Sequence, residues 1–95
     1  MDKNSILTYY NEKKKVLTAT KYKMVKRSKE ELDLIEKYLK QTEDCIELLN
    51  GGAQNGQMIK ETANWYDYIK KVRQDPKLKF NWFRGESYAK RPSQS

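Results

Sequence analysis

The chain of 95 residues has no histidine and a single cysteine, Cys45. Soft metals such as zinc therefore lack their usual ligands, and an internal disulfide is impossible. Glu43, Asp44 and Glu47 could offer oxygen ligands, but acids grouped on one helix are far more often simply solvated. No metal and no cofactor is expected. Without histidine, general acid–base chemistry would fall to carboxylates or lysines, and no stretch sets a nucleophile beside a base. The expectation is a protein that is not an enzyme. Also missing is any apolar run near the roughly 18 residues a membrane-spanning helix needs. No secretory segment opens the chain, so a reducing cytoplasm is the expected location. Gly51 to Gly56 has the outline of a phosphate loop, but Gln57 and Met58 stand where Lys and Ser or Thr are required.

Glycine and proline are absent from the first fifty residues. With the two strongest breakers gone, helix is the default there. What is present is polar: 37% hydrophobic and 35% charged residues, with a net charge of +7. That composition suits one small globular domain with a marginal core. The expected fold is all-α, a three-helix bundle with helices over about 5–26, 29–50 and 57–74, making a helical domain of residues 1–75. Residues 76–95 follow as a basic, aromatic tail. A long helical hairpin, oligomeric, is the alternative, because Leu17 and Met24 continue in heptads to Leu34, Tyr38, Cys45 and Leu48.

Ser28-Lys29-Glu30-Glu31 forms a capping box, which favours a break and a new helix start. Leu32, Ile35, Leu39, Thr42, Ile46 and Leu49 then recur in steps of three and four, giving an apolar seam. Asn50-Gly51-Gly52 signals its end, and Asp75-Pro76 stops the third helix. The seam is expected to pack on Leu17, Met58, Trp65 and Ile69. In the first helix Ile6, Tyr10, Leu17 and Met24 share one face, which Lys13 and Thr20 interrupt. Val16 to Met24 also alternates like a strand, the weaker reading. Tyr9, Tyr10, Tyr22, Tyr66 and Tyr68 are expected at the edges of the core, where a phenol can have one wet end. Cys45 is expected in the core or at its boundary.

Charge is sorted along the chain. Residues 1–29 carry a net +7, residues 30–49 a net −5 and residues 50–95 a net +5. An up-down-up bundle would set Lys13, Lys14 and Lys15 beside Glu43, Asp44 and Glu47, and Lys26, Arg27 and Lys29 near Glu30, Glu31 and Asp33. Such pairs tune register more than they stabilise. They leave an excess toward the end of the third helix and the tail.

There Lys70, Lys71, Arg73, Lys77, Lys79 and Arg84 interleave with Phe80, Trp82, Phe83 and Tyr88. These ten residues are the expected partner-binding set, with Lys90 and Arg91 adding charge beyond them. Sixteen lysines to four arginines suit loose attraction to negative charge more than base-specific contact. The expected function is a small adapter or inhibitor docking on an acidic surface of a larger protein complex. Homo-oligomerisation is compatible with it. The use of Lys, Asn, Tyr and Ile fits an AT-rich coding sequence, so a phage or mobile element, and a host-takeover or anti-defence factor, is the expected setting. A nucleic-acid-binding accessory protein using the same tail is the second reading, since aromatics among cations also serve single strands. A plain structural role competes with both: Leu78, Phe80 and Trp82, at strand spacing, could fold back as a lid.

Overall fold

A computed structural model describes residues 1–23 and 27–89. Three helices, α1 (Lys3–Lys21), α2 (Lys29–Asn50) and α3 (Gly56–Val72), precede two short strands, β1 (Leu78–Asn81) and β2 (Glu86–Ala89). The chain is mainly helical, but the expectation of an all-α fold is corrected by the antiparallel hairpin in its tail. Met24 and Lys26, expected in the first helix and its charge pairs, lie outside the described residues, as do Lys90 and Arg91 of the tail.

Each helix starts on a side chain that accepts an otherwise orphaned amide. Asp2 Oδ1 accepts from Ser5 N at 2.8 Å, so α1 starts two residues earlier than expected. Ser28 Oγ accepts from Glu31 N at 3.1 Å, and Asn55 Oδ1 from Met58 N at 3.0 Å. The capping box therefore opens a separate helix, and the long uninterrupted helix is ruled out by the ends of α1 and α2. At the far end of α2, Gly52 takes a left-handed φ of 88°. Ala53 N then bonds Leu48 O and Gly52 N bonds Leu49 O, the double closure of a Schellman motif.

α1 and α2 are antiparallel neighbours. Lys14 meets Glu43 at 3.6 Å and Lys21 meets Glu36 at 3.1 Å, seven residues up one helix against seven down the other. Arg27 pairs locally with Glu31 at 3.3 Å. The sorted charge is thus partly internal, as expected for Lys14, but Lys13 turns away from α2 to Glu61 on α3. As α3 advances its contacts step backward along α1: Glu61 to Lys13, then the Tyr66 hydroxyl to Ser5 O at 3.2 Å. That crossing replaces the up-down-up order. α3 packs on α1 and on both strands rather than along α2. The molecule is correspondingly flat, 43 × 35 × 18 Å.

The core follows from this layout. Ile6, Tyr9, Tyr10, Leu49, Met58, Trp65 and Phe80 form the main buried cluster, with Leu17 and Ile35 buried further along the α1–α2 contact. Of the expected core, Leu32, Leu39, Ile46 and Ile69 are only half-buried, because α3 does not lie over the α2 seam. Tyr9 and Tyr10, expected at the edge, are instead central. Buried Thr42 and Thr62 donate to Tyr38 O and Met58 O, each at 2.7 Å, so neither hydroxyl is left unpaired.

Candidate functional site

The tail turns back on itself because Asn81 and Gly85 allow it. Asn81 Oδ1 accepts from Phe83 N at 3.0 Å, folding the chain into an Asx turn. Gly85 N donates to Asn81 O at 2.8 Å, and Gly85 itself has φ of 68°, a conformation that side chains resist. Leu78 then pairs with Ala89, Lys79 with Tyr88, Phe80 with Ser87 and Asn81 with Glu86. Alternation sends Leu78 and Phe80 to one face and Lys79 and Tyr88 to the other.

The turn is seated on Glu61. A Cβ built on Gly85 would lie 2.9 Å from Glu61 Cγ, so only glycine fits this approach. The Glu61 carboxylate is in turn held by four donors. Its Oε2 accepts from Tyr9 Oη at 3.2 Å, Tyr10 Oη at 3.3 Å and Lys13 Nζ at 3.2 Å; its Oε1 accepts from Gln57 Nε2 at 3.2 Å. Burial, and then the Glu61 charge, push both phenols well above the ordinary tyrosine range. Burial likewise raises the nearby Cys45 thiol. The cluster ties α1, α3 and the hairpin together.

The ten expected partner-binding residues divide into two groups. Phe80, 4% exposed, sits in the core against Tyr9, Tyr68 and Trp82, and leaves a partner little more than an edge. Trp82 is half-buried and stacks on Tyr9 with ring centres 6.1 Å apart and planes 8° from parallel. Phe83 is half-buried, its ring 5.2 Å from that of Tyr38 on α2. Only Tyr88, 45% exposed, remains an open aromatic in the set. The lid expected as the plain alternative therefore accounts for Phe80 and much of Trp82.

The cations behave differently. Lys70, Lys71, Arg73, Lys77, Lys79 and Arg84 are all exposed. Lys71 pairs with Asp67 at 2.9 Å, and among the described residues the other five have no acid within 4.0 Å. Strand pairing sets Lys79 beside Tyr88.

Between the second half of α1 and the hairpin lies a cleft of about 290 Å³. Val16, Leu17 and Thr20 form one wall; Lys79, Phe80, Asn81, Trp82, Phe83 and Tyr88 form the other. Five of the ten expected residues meet there. The α1 wall was missed, because Leu17 reads as core and Val16 and Thr20 carry no charge or motif that marks a site. Two other clefts, of about 440 and 320 Å³, flank the C-terminal half of α2 and are lined by Asp44 and Glu47, and by Glu43 and Glu47. Among the described residues no group of His, Cys, Asp and Glu side chains is placed to hold a metal ion, and no helix is long and apolar enough to cross a membrane. No protein family, curated protein or solved structure matches the chain.

Proposed function

We propose that this is a small, non-enzymatic binding protein, an adapter or inhibitor that docks its hairpin and the end of α3 on an acidic surface of a larger protein. The observation that supports this reading most is the division within the tail. Its cations are exposed and mostly without acidic neighbours, while its aromatics are largely engaged inside the fold. Single-stranded nucleic acid is gripped by open aromatic faces on which successive bases stack. Here Trp82 faces Tyr9 and Phe83 faces Tyr38, which leaves Tyr88 without a row of companions. Surface cations arranged this way steer and orient a partner of opposite charge. A host complex obstructed by such a factor is the setting that the composition suggests.

The nucleic-acid reading keeps one support, the net charge of +7. Affinity capture from host lysate, with and without nuclease, separates the two. Capture that resists nuclease and collapses in Arg84→Glu supports protein docking. Capture lost on nuclease treatment overturns it, as does oligonucleotide binding whose affinity falls with salt at roughly −0.7 per phosphate over many phosphates.

A further inference from the structure

We propose that the cleft between α1 and the hairpin receives one bulky apolar side chain of an acidic peptide segment. This rests on the protein-docking reading above and names what the docked surface must carry. The volume, about 290 Å³, lies just below the roughly 300–1,000 Å³ typical of small-molecule sites, a size for one anchoring side chain. Its α1 wall offers Val16 and Leu17, and its hairpin wall offers aromatic edges; Lys79 is the one charge in the lining. Interfaces concentrate binding in such anchors, seated in apolar pockets and ringed by polar contacts.

The surroundings select the flanks of the anchor. Lys77 and Lys79 on one arm of the hairpin and Arg84 in its turn are exposed and lack acidic partners among the described residues, while Glu86 is the sole acid between Leu78 and Ala89. Each cleft beside α2 has two acids in its lining, against a single cation, Lys14, in one of them, so both disfavour the same segment. A nucleobase fits less well. The Trp82 ring is stacked on Tyr9, and beyond Asn81, Thr20 and Lys79 the lining consists of apolar and aromatic side chains with few groups to read a base edge.

The test uses the full chain and fluorescence anisotropy with labelled acidic dodecapeptides. Each carries one central Leu, Met, Phe or Trp, or Ala as the control, and dT12 serves as the nucleic-acid probe. At least one bulky-centred peptide is expected to bind tenfold or more tighter than the Ala control. Thr20→Phe, which fills the cleft from the α1 wall, should erase that difference and leave the weak, salt-sensitive binding of the control. Lys79→Glu, on an exposed position, should weaken all the acidic peptides together. Equal binding of bulky and Ala peptides overturns the cleft assignment and leaves charge-driven docking standing. Binding of dT12 in preference to every peptide overturns both.

Discussion

The ammonium of Lys13 lies 3.2 Å from Glu61 Oε2, and the two side chains are only 5% and 15% exposed. An ion pair so removed from water is not an efficient source of stability, because desolvating both charges offsets much of their attraction. Its importance lies in what happens when one member goes. Lys13→Met would leave Glu61 charged, nearly buried and short of a donor. The expected loss is about 3–5 kcal/mol in denaturant unfolding. The double variant Lys13→Met, Glu61→Leu should recover part of that loss. Additive losses would show that the pair is not coupled.

The two phenols on the same oxygen give a pH signature. Their folded pKa values are raised above the ordinary value near 10 by burial and by the Glu61 charge. A raised pKa means the folded state holds the proton that the unfolded state releases. The associated stability is complete below pH 10 and is lost as pH climbs above it, by up to about 1.4 kcal/mol per pH unit for each phenol. Tyr10→Phe should make that alkaline decline shallower. An identical slope in wild type and variant would place Tyr10 outside the titrating core.

Gly85 couples the turn to this cluster. Gly85→Ala meets both an unfavourable φ of 68° and the 2.9 Å approach to Glu61 Cγ. The cost expected is above about 1 kcal/mol, measured by thermal or denaturant unfolding. A neutral result would mean the turn lifts away from Glu61 at little expense.

Truncations should rank by burial. Leu49→Ala and Phe80→Ala remove buried side chains and should cost about 2–5 kcal/mol. Leu39→Ala, at a half-buried position, should cost clearly less. Ser28→Ala removes only the cap of α2, worth about 0.5–2 kcal/mol. Equal losses at Leu39 and Leu49 would indicate that α2 is covered by something beyond the described residues, such as a second copy.

These cases show where sequence reasoning reaches. Helix α2 was legible from Ser28 to Gly51 because caps and periodic apolar residues are local signals. Lys13 was not legible as a core residue. It stood on the Ile6–Tyr10–Leu17 face as an apparent interruption, and its partner Glu61 is 48 residues away. The available signal was a pair of opposite charges, each set within the apolar stripe of its own helix. The strand spacing of Leu78, Phe80 and Trp82 was visible, but the turn depends on Asn81 and Gly85 acting together across four residues. For the site, the cations could be named from sequence. Which aromatics stay open to a partner depends on packing partners such as Tyr9 and Tyr38, which no local pattern announces.

The Tyr38–Phe83 ring contact couples events that look separate. Along its N-terminal half α2 meets the rest of the fold through buried Ile35, half-buried Leu32 and Leu39, the Lys21–Glu36 pair and this contact, while Leu34 on its outer side is 42% exposed. The ends of a helix can open locally, at a lower free energy than whole-chain unfolding. Any opening of α2 there separates Tyr38 from Phe83, and Phe83 is a wall of the cleft. A peptide lodged against Phe83 would therefore slow amide hydrogen exchange along the first turns of α2, a helix that contributes no residue to the cleft lining.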